Sequence, residues 1–201
     1  LAGGVIVWVQ DFDMIYAGCN TLELERVRDR FQEAFEYILR GITASDGLNR
    51  LILAAHLGWR QVKVLRAYCK YLLQTGIPFS LSYISATLAR HPRLARLLVE
   101  LFDAMFDPER DDESEFQRER AAKALRYDLE TLGRVSAEKD LLLQDDLQDV
   151  LRTREGSRDA HVGTIRRCFS RALEAVISID EDRILQSFLG VIDATLRTNY
   201  F

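Results

Sequence analysis

The sequence predicts a mainly α protein: a multi-helix bundle with a long charged helical hairpin and a short β segment at the N-terminus. Three observations carry this expectation. Apolar residues recur at three- and four-residue steps along most of the chain, the spacing of one face of a helix. The three prolines stand at the edges of apolar runs rather than inside them. β-Branched and aromatic residues cluster at the start, in residues 5–8 and at Phe12, Ile15 and Tyr16, the one stretch with strand character. With 201 residues, 48% of them hydrophobic and 29% charged, the chain can build a sizeable core and is neither disordered nor fibrous.

After Gly18 the period changes. Leu22, Leu24, Val27, Phe31, Phe35 and Ile38 mark an amphipathic helix that Gly41 can close. Asp46 is a good N-cap for a helix over residues 46–74. Leu48, Leu51, Ile52, Val62, Leu65, Cys69 and Leu72 run along one side of it, while Leu53, Leu57, Val64, Tyr68 and Tyr71 line much of the other. Apolar residues on both sides predict a helix packed on most of its circumference and central to the fold, with Gly58 kinking or dividing it. Gly76 and Pro78 stop this helix, and Ser80 caps the next. Pro92 suits a first helical turn, which makes His91 the expected cap of a helix over 93–106.

From Asp111 onward long charged helices are expected: roughly 114–132, then 137–154 after Gly133 and a Ser136 cap. A turn at 156–159 leads to a helix ending near Ile177. Asp180, Glu181 and Asp182 open the last helix, with Asp180 or Asp182 as its cap and Ile184, Leu185, Phe188, Ile192 and Leu196 as its buried stripe. The implied division is a β edge of an upstream domain over 1–20, a helical core over 21–110, and a charged hairpin and helix over 111–201. Leu1 is not an initiator Met, and Tyr200 and Phe201 directly follow a helical pattern, so both ends are expected to be cuts in a longer chain.

Charge is uneven. No Asp or Glu occurs between Gly47 and Val99, yet Arg50, Arg60, Lys63, Arg66, Lys70, Arg90, Arg93 and Arg96 do. From Glu100 to Asp159 eighteen acids face ten bases. Acidic helices packed beside the basic block would neutralise it; the competing role is a site for an anionic ligand or an acidic neighbour. Nucleic acid ranks below both, because bases interleaved with so much aliphatic surface cannot track phosphates.

Chemistry is sparse. A nucleotide cradle needs small residues where backbone amides meet phosphate, and neither GxGxxG nor GxxxxGK[ST] occurs. His56, His91 and His161 have no His, Cys or Glu at ligand spacing and are expected to face helices or cap them. No Ser or Cys has a readable base beside it, and Cys69 reads as a small core residue. The sequence therefore names no catalytic residue, no cofactor-binding residue and no metal ligand. Cys19, Cys69 and Cys168 form no CxxC pair, which suits reduced thiols and a cytoplasmic location. The net charge of −4 gives no pull toward nucleic acid or anionic lipid, and the longest apolar run, 51–59, is too short to span a bilayer.

One stretch carries a specific resemblance. Residues 46–109 read DGLNRLILAAHLGWRQVKVLRAYCKYLLQTGIPFSLSYISATLARHPRLARLLVELFDAMFDPE. The Asp-Gly opening, the Trp-Arg, the LRAYCKYL block, ATLARHP and LFDAMFDP together resemble the large bacterial NAD-dependent glutamate dehydrogenases. VWVQDFDMIYAG and VISIDEDRILQSFLGVIDATLRTNYF, on either side, are similar to that family too, whereas 111–165 fit only as a variable charged insert. The resemblance implies a fragment upstream of the catalytic domain, which in the family follows LRTNYF and holds the catalytic Lys and Asp and the glycine-rich loop for NAD. It also implies a homo-oligomer regulated by amino acids, with neighbouring domains of the same chain as this segment's partners. The alternative is a free-standing α-helical interaction module.

Overall fold

The computed structural model describes residues 24–135 and 144–198. The expected strand, Cys19, the Ser136 cap, Tyr200 and Phe201 lie outside the described residues. The described residues form nine α-helices and two short 3-10 turns and contain no strand.

Helix α1 (Leu24–Leu39) ends at Gly41, whose φ of +69° is the left-handed conformation that a side chain resists. Asp46 caps a 3-10 turn, Gly47–Arg50, by accepting from the Leu48 amide, and α2 (Leu51–Ala54) continues from it. The expected long helix then divides. His56 takes a φ of +53°, the Leu57 amide turns back to the Leu51 carbonyl, and Gly58 becomes the extended N-cap of α3 (Trp59–Gln74). Gly76, at φ +83°, closes α3, and the Ser80 hydroxyl caps α4 (Leu81–Arg90) by accepting from the Tyr83 amide.

Helix α5 (Pro92–Phe106) is the centre of the molecule, not the 46–74 region. Eleven of its residues are buried, among them Leu94, Leu97, Leu98 and Leu101 with no exposure at all. Helices α4, α6 (Glu115–Val135), α8 (Arg158–Leu173), α9 (Ile179–Ala194) and α3 pack around it, and α7 (Gln144–Arg154) bridges α6 and α8. Helix α3 keeps Leu65 and Cys69 in the core but turns Arg60, Lys63, Lys70 and Tyr71 outward. One continuous apolar cluster runs from Ala34 of α1 to Ile192 of α9.

Other boundaries differ for local reasons. Gly133 does not end α6: Arg93 lies across it, donating from Nε to the Leu129 carbonyl at 2.8 Å, and a Cβ there would collide with the guanidinium. Helix α8 stops at Leu173 rather than near Ile177. Ser178, not Asp180 or Asp182, caps α9 by accepting from the Glu181 amide. Ile184, Leu185, Phe188 and Ile192 are buried as the pattern requires, but the chain becomes extended at Thr195 and leaves Leu196 92% exposed.

Candidate functional site: buried carboxylates between helices

All three histidines are buried, and each binds a carboxylate from a distant part of the chain. His56 Nδ1 lies 3.1 Å from Asp128 of α6, His91 Nε2 lies 2.7 Å from Glu181 of α9, and His161 Nε2 lies 3.1 Å from Glu100 of α5. His91 stands at the expected N-cap position of α5, yet its ring makes no capping bond and reaches to Glu181 instead. The partners stand 72, 90 and 61 residues away in sequence, so no local spacing could announce them.

Glu100 has four cationic or histidine partners among the described residues. Arg154 Nε sits 3.1 Å from it, Arg96 Nη1 at 3.6 Å and Arg110 Nη1 at 3.7 Å, so that α7, α5 and the 3-10 turn Pro108–Asp112 meet on one carboxylate. Burial alone would raise its pKa, but the His161 hydrogen bond and the Arg96 and Arg154 charges outweigh it and hold the group at about 2. Burial likewise pushes His161 below the ordinary histidine value, against the pull of Glu100. Nε2–H donates to the acceptor-only carboxylate, and Nδ1 lies 3.2 Å from the Thr153 hydroxyl, which also reaches the Asp149 carbonyl at 2.8 Å. Arg154 also holds Glu113 through two bonds of 2.9 and 3.1 Å. Asp128 extends the array; burial opposes its ionisation, but His56, Arg96 and Arg30 keep its pKa below the usual carboxylate range.

The basic block is neutralised within the chain in part: Arg66, Arg90 and Arg96 meet carboxylates, but only Arg96 meets those of the acidic 100–159 stretch. Arg66 is buried against Asp46 at 2.6 and 3.0 Å and against Asn49 at 2.6 Å, which explains the Asp-Gly-Leu-Asn opening of that stretch. Gly47 is needed there because a Cβ would stand 2.6 Å from the Ser85 hydroxyl of α4. Arg96 serves Asp128 and Glu100, and Arg90 serves Glu181 at 2.6 Å. Arg50, Lys63 and Lys70 are exposed and make no ion pair among the described residues, and Arg60 lies over the Trp59 ring.

Among the described residues no group of three or more His, Cys, Asp or Glu could hold a metal ion, and none of the helices is long and apolar enough to cross a membrane. Cys69 and Cys168 are buried thiols, each pushed up to about 11 by burial, far from a reactive thiolate.

What the array does is join helices. Arg158, at the start of α8, donates to the Met105 carbonyl at 3.2 Å and the Asp107 carbonyl at 2.7 Å, satisfying the exposed end of α5. Helix α9 is held at both ends, by Arg90 and His91 on Glu181 and by the Tyr68 hydroxyl 3.1 Å from that of Thr195.

Two family models match separate parts of the chain. One, described as glutamate dehydrogenase, helical motif 3, matches residues 43–108; the other, described as bacterial NAD-glutamate dehydrogenase, catalytic domain, matches 168–201. NAD-specific glutamate dehydrogenases from Pseudomonas aeruginosa and Halomonas elongata are 33% and 32% identical to it, each over 96% of the chain. That from Mycobacterium tuberculosis is 32% identical over 98% of it. The chain is related to the NAD-specific glutamate dehydrogenases. It spans about a tenth of the length of these relatives, 9–10% of each. No solved structure matches it. In glutamate dehydrogenase terms, Tyr68, Arg90 and His91 lie in the helical-motif match, and Glu181 and Thr195 lie in the catalytic-domain match. These two attachments of α9 therefore cross from one matched region to the other, while a third, Arg166 of α8 on Asp193 at 2.8 Å, does not. The catalytic-domain match also begins within α8, so the last two helices fall inside it in part or in whole.

Proposed function

We propose that this chain is the helical scaffold of an NAD-dependent glutamate dehydrogenase, linking regulatory and catalytic domains in an enzyme that converts L-glutamate to 2-oxoglutarate and ammonia. Residues 1–20 then form the edge of an upstream regulatory domain, 21–110 the helical core, and 111–201 the charged hairpin and helix that lead into catalysis. The parent enzyme is a cytoplasmic homo-oligomer that holds NAD elsewhere; this segment carries neither the catalytic residues nor the cofactor site.

The observation that supports the reading most is the grip of Arg90 and His91 on buried Glu181. A carboxylate 6% exposed tolerates little movement against its cations, because displacement would leave a desolvated charge uncompensated. Helix α9 is thereby fixed in place and angle on the α4–α5 corner, which is what a platform for a catalytic domain must achieve. In a full-length enzyme, Glu181→Gln should lower thermal stability and turnover together, although no reacting atom is touched. Unchanged stability and turnover would overturn the scaffold role. Calorimetric titration of the 201-residue chain with NAD should give no saturable heat at millimolar concentration; saturation would show a cofactor site here.

A further inference from the structure

Helix α1 has two apolar sides. Val27 and Ala34, 4% and 1% exposed, are buried on the side that meets α2 and α3. Phe31, Phe35 and Leu39 recur at every fourth residue along a second side, with Ile38 beside them and Ile42 just beyond the helix. That side is open: Phe35, Leu39 and Ile42 are 44%, 71% and 52% exposed. The Phe31 and Phe35 rings stack at 6.0 Å, and the Ile42 amide donates to the Tyr37 carbonyl at 2.9 Å, which holds Ile42 at the helix end after Gly41. Elsewhere among the described residues the large exposed apolar side chains stand singly or in a pair, which calls for no partner; three within eight positions make a patch. We propose that this side of α1 is the docking surface for residues 5–16 of the same chain, which turn back along the helix they precede; on the scaffold reading, the contact joins the regulatory edge to the helical core.

The chemistry of the segment suits it to the patch. Residues 5–16 read VIVWVQDFDMIY, in which nine of twelve are apolar or aromatic and none is basic. A stretch so rich in β-branched and aromatic side chains gains most by covering an apolar surface. Reach is sufficient. Leu24 and Leu39 stand about 22 Å apart along α1 at the helical rise, and residues 17–23, extended, span roughly 23–25 Å, so residues 5–16 can lie along the whole patch. Tethered at Leu24, the segment meets the patch at an effective concentration on the order of millimolar, which a face of a few side chains can convert into occupancy.

Charge agrees with this occupant. Asp11, Asp13 and Glu23 are the charged residues of 1–23, and Arg28, exposed, stands three positions before Phe31 on the same side of α1. Residues 136–143 fit less well. They offer Leu141, Leu142 and Leu143 beside Glu138, Lys139 and Asp140, and both of their ends are fixed, by Val135 of α6 and Gln144 of α7.

The test uses the full-length enzyme, with each labelled position read by peptide mass. Leu39→Cys should react with a maleimide at least ~10-fold more slowly than Glu119→Cys, which stands on the exposed side of α6, because a covered thiol reacts only through local opening. Adding Val7→Asp and Trp8→Asp should bring the rate at position 39 to within ~2-fold of that at 119, while buried Cys69 stays unlabelled. Should those two changes open Cys69 as well, Val7→Ser with Trp8→Ser decides, with the same expectation. Equal rates at 39 and 119 with Val7 and Trp8 in place would overturn the proposal. Protection that survives the changes at 7 and 8 would overturn it in favour of another part of the enzyme, and protection that vanishes when subunits dissociate would overturn it in favour of a second copy. If Glu181→Gln still lowers stability and turnover while position 39 labels freely, the docking fails and the scaffold stands.

Discussion

Helices α3 and α5 come from the same matched region and invert what their compositions suggest. Helix α3 shows apolar residues on both sides, yet it buries only Val62, Leu65, Arg66, Cys69 and Leu72, and Tyr71 is 52% exposed. Helix α5 contains Arg96 and Glu100 among its leucines, yet both are buried, 8% and 6% exposed. The difference lies in neighbours. Both helices touch five others, but the neighbours of α5 pack closely enough to bury eleven of its residues and bring cations and a histidine to Glu100, while α3 leaves Arg60, Lys63, Lys70 and Tyr71 exposed. Apolar content states how much surface a helix can bury, and the arrival of other elements states how much it does.

The sharpest way to break the comparison is to strip α5 of its buried acid. Glu100→Ala takes from buried Arg110 its carboxylate and from Arg96 and Arg154 one of two, and should cost about 3–5 kcal/mol in urea unfolding of this chain. A cost under ~1 kcal/mol would mean that water reaches the cluster and that α5 is not its dry centre. Leu65→Ala, on the buried side of α3, should cost roughly 2–5 kcal/mol, since the residue has no exposed surface. A loss under ~1 kcal/mol would show that α3 is attached more loosely than its packing indicates.

Acid should distinguish the helices next. Glu100, with its pKa at about 2 instead of 4.5, binds fewer protons folded than unfolded between those values, so its contribution is complete above 4.5 and is lost as pH falls toward 2. The depressed carboxylates of Asp128 and Glu113 act in the same direction. His161, lowered from 6.5, adds an earlier loss, because the unfolded ring takes a proton before the folded one does. Stability should therefore decline below pH ~6.5 and more steeply below ~4.5, and Glu100→Gln should remove on the order of 3 kcal/mol from the acid limb. A midpoint-versus-pH profile of Glu100→Gln parallel to the parent would contradict this. The smallest effects belong to the outer face of α3: Lys63→Ala and Lys70→Ala should each move stability by less than ~0.5 kcal/mol, as measured by thermal melting. A larger loss would reveal ion pairs that the described residues do not contain.

Much of the fold was legible in local chemistry. Gly41 and Gly76 close their helices in left-handed conformations, Asp46 and Ser80 accept the capping bonds expected of them, and Pro92 opens α5. Capping and helical phase depend on residues within four positions of one another, so the order of residues is sufficient to decide them. The same locality explains the errors. Ser178 displaced Asp180 and Asp182 as the cap of α9 because all three suit the role and only the backbone entry angle selects one. Gly133 continues a helix because Arg93, forty positions earlier in the chain, fills the space beside it.

By itself, then, the sequence determined a helical chain, the kinship with glutamate dehydrogenases through residues 46–109 and the last helix, and the uneven charge. It could not determine that His56, His91 and His161 each hold a distant carboxylate, nor that Arg66, Arg90 and Arg96 find their acids in Asp46, Glu181, Asp128 and Glu100. Tertiary structure decided those pairings, because a buried charge selects its partner by arrival in three dimensions, where desolvation makes an unmatched group costly, and separation along the chain has no part in that cost.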